Sequence, residues 1–167
     1  MIVYTPKRRN KAAVIISLLL FICTAAALCF GVLGIGNRLV LQIVGTISLT
    51  AGIFITGRYS LCEFKYVLNP TNTEFSIIKK QGSKSKTMCN VSLETGIAIV
   101  PKLKVSELEK IYGTITRRFN YCVNIFPIDS YYYVFKFHDG THVIEFEPDE
   151  DFVNAFIKYI KLRLLEV

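Results

Sequence analysis

The run Lys79-Lys80-Gln81-Gly82-Ser83-Lys84-Ser85-Lys86 sets four cations around one glycine turn, the polar feature of this chain best suited to touching a ligand. Near an anionic leaflet each lysine contributes about 1 kcal/mol of attraction. The competing reading is a solvated hairpin tip that lysines keep soluble. Arg117 and Arg118, with Lys102 and Lys104, form a second basic group open to lipid or a partner. His138 and His142 have the spacing of a helical metal pair, but they flank Asp139-Gly140. On a hairpin they bracket the turn and point to opposite faces, so no metal site is expected. Tyr131-Tyr132-Tyr133 reads as core at Tyr131 and Tyr133, with Tyr132 covering a rim.

The five cysteines, Cys23, Cys29, Cys62, Cys89 and Cys122, are odd in number and none has C-x-x-C spacing. They read as thiols serving as small apolar filler rather than as a zinc site or a reactive centre. An enzyme needs a nucleophile or an acid–base pair in a cleft, and no such set is legible. No catalytic residue, cofactor or metal ligand is therefore expected.

What positions these groups is decided by Ala12 to Gly57, 46 residues with Arg38 as their single charge. Hydrocarbon about 30 Å thick takes roughly 20 apolar residues of helix. The segments 12–33 and 39–57 each meet that length, joined by Gly34-Ile35-Gly36-Asn37-Arg38 as a tight turn. On the second run Gly45, Ser48 and Gly52 share a face, as do Ala27 and Gly31 on the first. Such small faces let helices approach, either within the hairpin or against another subunit. Neither run holds an acid, a His, a Lys or a Pro, which argues for an anchor rather than an ion path.

Lys7, Arg8, Arg9 and Lys11 crowd the first entry point and Arg58 starts the exit. The positive-inside bias then puts the basic N-terminus (1–11) and everything after the hairpin in the cytoplasm, with the chain in the inner cell membrane. A cleavable signal is the alternative for the first run, given Ala25-Ala26-Ala27; it would leave residues 58–167 cytoplasmic all the same. The net charge of +7 is mostly topological, because residues 1–57 carry five Lys/Arg and no acid. From Arg58 onward the charge is only +2, without the basic stripe interleaved with aromatics that tracks a nucleic acid.

After Arg58 the apolar period becomes two, the mark of half-buried strands. Strands are expected at 63–68, 74–80, 86–93, 96–100, 117–126, 131–138 and 141–147, with 105–112 a loop containing a helical turn. Asp139-Gly140 is a favoured pair for a two-residue turn. It would set Phe137 against His142, Phe135 against Ile144, Tyr133 against Phe146 and Val134 against Glu145. Glu147-Pro148-Asp149-Glu150-Asp151 then opens a helix whose apolar stripe runs through Phe152, Phe156, Tyr159, Ile160 and Leu164.

This order resembles a pleckstrin-homology-like (PH-like) domain: seven antiparallel strands forming a barrel or sandwich, closed by a C-terminal amphipathic helix, the whole an α+β chain behind a two-helix membrane hairpin. The likeness to small bacterial two-pass membrane proteins carrying such a domain is clearest in RRFNYCVNIFPIDSYYYVFKF and FEPDEDFVNAFIKYI. The resemblance implies a membrane-tethered binding or scaffolding module, acting on a protein partner or on copies of itself, and it carries over no catalytic residue. Eukaryotic relatives that bind inositol phosphates use a basic loop between their first two strands, and Asn69 to Thr73 holds no basic residue. Anionic-lipid sensing would therefore fall to the Lys79 to Lys86 turn.

Overall fold

In the computed structural model, residues 1–8, 11–103 and 105–164 are described, with side chains up to 160. Arg9, Lys104, Leu164 as a side chain and the C-terminal Val167 lie outside that set. Two units divide the chain: Arg8–Cys62 with Asn124–Phe126, and Met1–Lys7, Glu63–Val123 and Pro127–Val167. The first strand, β1 (Ile2–Tyr4), belongs to the second of these and is taken up with it below.

The helical unit consists of α1 (Ala12–Leu33) and α2 (Arg38–Ile55), the latter continued by a π-helical turn, Thr56–Ser60. Gly34 ends α1 in the left-handed conformation, φ +68°, where its N–H bonds the Phe30 carbonyl. Asn37 caps α2, its side chain accepting from the N–H groups of Leu39 and Val40. The small residues face inward: Ala13, Ser17, Thr24 and Ala27 of α1 and Gly45, Ser48 and Gly52 of α2 are the buried ones. A methyl at Gly52 would lie 3.0 Å from the Phe21 ring, and one at Gly45 would touch Ala27 at 3.6 Å. These faces thus pack the hairpin on itself, while Gly31 meets nothing within 4 Å. Both helices are long and apolar enough to cross a membrane, with mean hydropathies of 2.7 and 2.0.

The second unit holds two four-stranded sheets. One has the order β1-β2-β3-β4, where β2 is Cys62–Asn69, β3 Glu74–Gln81 and β4 Lys84–Ser92. The other has the order β5-β7-β8-β6, with β5 Gly96–Pro101, β6 Ile115–Asn120, β7 Tyr131–Phe137 and β8 Gly140–Phe146. Period-two alternation sends Phe64, Tyr66 and Leu68 of β2 inward with Phe75 and Ile77 of β3, against Tyr133, Phe135, Ile144 and Phe146 from the other sheet. The C-terminal helix α4 (Glu150–Leu164) seals this core with Phe152 and Phe156. Each such ring contributes about 1.5–3 kcal/mol relative to an exposed position. The Asp149 side chain accepts from the Phe152 N–H at 2.9 Å and starts the helix after Pro148.

Several expectations need correction. Among the described residues there is no closed seven-stranded antiparallel barrel: eight strands form two open sheets, and β6 runs parallel to β8. The additional strand is β1, which pairs Ile2 with Leu68 and Tyr4 with Tyr66. Three residues carry too little pattern to announce a strand, and its pairing partner lies more than 60 positions away. Residues 105–112 form a helix, α3 (Val105–Tyr112), that buries Leu108. It covers the far face of the second sheet, so Tyr132 is buried in a second core with Val134 and Val143 instead of covering a rim.

The strand expected to reach Phe126 ends at Asn120, whose side chain takes the Cys122 N–H at 3.0 Å in a local turn that competes with the ladder. The β7–β8 register also differs, by two residues. Phe137 pairs with Gly140, Phe135 with His142, Tyr133 with Ile144 and Tyr132 with Glu145, so that His138-Asp139 make the turn. A shift of two preserves every face.

Candidate functional site

The β3–β4 ladder places the four lysines. Lys79 pairs with Lys86, Lys80 with Ser85 and Gln81 with Lys84, closing on Gly82-Ser83 with Gly82 at φ +59°. Alternation puts Lys79, Lys84 and Lys86 on one face and Lys80 on the other. Among the described residues, no carboxylate comes within ion-pair distance of any of the four. Lys80, Lys84 and Lys86 are exposed and Lys79 half-buried. The face is therefore a concentration of unneutralised positive charge with no internal use.

The second basic group is arranged differently. Glu145 of β8 is fully buried on the α3-covered face, and two cations converge on it: Lys102 Nζ at 2.7 Å and Arg118 Nη2 at 2.5 Å. Asn120 donates to the same carboxylate at 3.3 Å and Ser130 at 3.5 Å. Arg118 also donates to the Tyr132 hydroxyl at 2.7 Å and lies over that ring, 5.1 Å from its centroid. Burial alone would raise the Glu145 pKa, but the hydrogen bonds and charges of Lys102 and Arg118 outweigh it and hold the carboxyl below its ordinary value. Such a group stays ionised at neutral pH and is a poor proton donor or base. Arg117, more exposed, lies 3.7 Å from Asp139.

A third polar cluster ties the irregular segment after β6 to the core. The Tyr66 hydroxyl donates to the Tyr121 carbonyl at 3.0 Å and accepts the Glu147 N–H at 3.2 Å. The Glu147 carboxylate accepts from the Val123 N–H at 2.6 Å. Burial pushes the Tyr66 phenol well up, so it serves as a neutral strut. His142 is buried beside Phe119, Phe135 and Phe137, and Asp139 Oδ1 lies 2.8 Å from its Nε2 without hydrogen-bond alignment. His138 is exposed in the turn. None of the five cysteines is in a disulfide; Cys62 and Cys122 are buried, and burial raises the Cys89 thiol to about 11.

Of the six residues singled out in sequence, the structure brings Lys79, Lys84 and Lys86 together, leaves Lys80 on the reverse side, and commits Arg118 to an internal carboxylate. Glu145, Glu147 and Tyr66 escaped sequence reasoning as a network. A signal for Glu145 did exist: Tyr132, Val134 and Val143 make its side of the hairpin as apolar as the other, so an acid in that row must be buried with partners.

Two sheets over a common core, sealed by a C-terminal helix, define a PH-like domain. The chain belongs to the family described as Bacterial PH-like domain (DUF6106), whose profile matches residues 3–166. No curated protein and no solved structure matches the chain.

Proposed function

We propose that the chain is a non-catalytic inner-membrane module whose helical hairpin anchors a PH-like domain at the cytoplasmic surface, where the domain binds a protein partner or assembles with copies of itself. One observation carries the topology. Strand β1, which precedes the first apolar helix, is hydrogen-bonded to β2, which follows the second. Two segments of one sheet lie on one side of a bilayer, so the chain between them crosses an even number of times. The apolar helices support the same reading: only 22% and 17% of their spans are buried, and Leu18, Ile22, Ile47 and Phe54 point outward. A core helix of a water-soluble protein would hide such side chains, whereas lipid accepts them.

The topology is tested by tagging Gly36 and the C-terminus in intact cells with a reagent that cannot permeate them. Labelling at Gly36 alone is expected; labelling of the tail would overturn the orientation. Crosslinking in native membranes followed by mass spectrometry is expected to recover a reproducible protein neighbour or homo-oligomer, and a clean monomer would sink the scaffold reading.

The unneutralised lysine turn favours a second reading, recognition of anionic headgroups by Lys79, Lys84 and Lys86 on one face with Lys80 on the other. The full chain is the right object, because a fragment starting at residue 58 lacks β1. Reversing the four charges should abolish any preference for vesicles containing phosphatidylglycerol over neutral ones; an unchanged preference would remove this reading.

A further inference from the structure

We propose that the open edge of β4 receives an extended acidic segment of a partner protein, which adds to the first sheet as a fifth strand. The inference rests on the binding-module reading above and names the kind of partner. Because, among the described residues, the sheet ends at β4 and does not close into a barrel, the outer backbone groups of this nine-residue strand have no neighbour in the sheet order. Its rivals are shorter: β1 has three residues and β5 and β6 six each. The β6 edge, moreover, has its arginines engaged with Asp139 and Glu145.

An unpaired strand edge is a template for any other strand, so its side chains decide what it admits. Lys84 to Met88 are consecutively exposed, with Lys84 and Lys86 on one face. A second copy pairing antiparallel about this end would set lysine against lysine, and like charges directly opposite are unfavourable. The same lysines would be satisfied by acids at alternate positions of an incoming strand. The ladder shifts register between Ile77 and Ile78, pairing Ile77 with Cys89 and Ile78 with Thr87. Met88 is left as the bulged residue, 41% exposed, an adaptable apolar contact just past the charges. The complementary segment thus has acids at every second residue and an apolar side chain at the end that meets Met88.

The test uses the full chain in nanodiscs of zwitterionic lipid and two peptides, one alternating Glu and Thr with a Val at each end, the other with Lys in place of Glu. The acidic peptide should bind and slow amide exchange across Lys84–Ser92. Lys84→Glu with Lys86→Glu should weaken that binding by about tenfold and strengthen binding of the basic peptide by a similar factor, since two cross-strand pairs change sign. The gain for the basic peptide guards against a variant that merely fails to fold. Binding without slowed exchange in β4, or indifference to the charge swap, would overturn the proposal. Lysine-dependent binding to phosphatidylglycerol nanodiscs with none to the acidic peptide would overturn it too, in favour of a headgroup. A crosslinked partner mapped elsewhere on the domain would sink the edge and leave the binding module standing, whereas a clean monomer would remove the module itself.

Discussion

The β3–β4 turn and the Lys102–Arg118 pair look alike as sequence, each a cluster of basic residues beside a strand. In the folded chain they are opposites. Around Gly82 no described carboxylate neutralises the lysines, and their charge faces solvent. In the second sheet two cations close on one buried carboxylate, with only half-exposed flanks left over. The difference shows that a count of cations measures available charge only after the internal acids have claimed theirs. A charge satisfied inside the fold belongs to stability, and one left unsatisfied is free for recognition.

The comparison breaks most sharply at Glu145. Replacing it with alanine removes the acid that Lys102 and Arg118 share and leaves two part-exposed cations that can turn to water, so a loss of about 1.5–3 kcal/mol is expected. Urea unfolding of the full chain in detergent measures it, and a loss near zero would return both cations to the pool available for ligands. Acid gives an independent reading. The folded pKa of Glu145 lies below its unfolded value, so its contribution is complete above the ordinary carboxylate range and is lost as pH falls through the folded pKa. Stability should therefore decline below about pH 4.3, and Glu145→Gln should make that decline shallower.

How far the chain could be read beforehand follows from where each signal resides. Hydropathy marks the two apolar helices, and Glu147-Pro148-Asp149 with the phenylalanine stripe marks α4, because both signals are local. The β7–β8 faces were legible from alternation, yet the register was not. Asp139-Gly140 suits a two-residue turn, but Gly140 begins β8, where a side chain would run into Thr116 of β6. Two different demands select glycine, and only the folded neighbour tells them apart. The same holds for β1 and for the parallel pairing of β6, whose partners are remote in sequence, and for Tyr132, whose burial depends on α3 arriving over that face. Within the candidate sites the lysine turn was legible, being contiguous, whereas the Glu145 clamp gathers residues from four separate segments.

A finer cut within the clamp is Tyr132→Phe. It removes the 2.7 Å hydrogen bond to Arg118 and keeps both the ring under the guanidinium and the Glu145 contacts. A hydrogen bond to a charged group is worth about 1.5–3 kcal/mol, and the retained stacking and ion pair place the expected loss at the lower end. Unfolding midpoints of Tyr132→Phe and Glu145→Ala, measured alone and together, should be non-additive, as befits one network. Additive losses would mean that the tyrosine acts through packing alone.

The smallest effect is expected at the other member of the comparison. Lys84 and Lys86 are exposed, lack carboxylate partners and lie on an unpaired edge, so reversing both should change stability by less than about 0.5 kcal/mol. Reversal should also relieve the Lys79–Lys86 repulsion across the ladder, since Lys86→Glu sets an acid opposite Lys79. The same unfolding measurement decides it. A loss comparable to that of Glu145→Ala would show that the turn, too, is consumed by the fold, and the distinction between stabilising and recognising cations would no longer separate the two clusters.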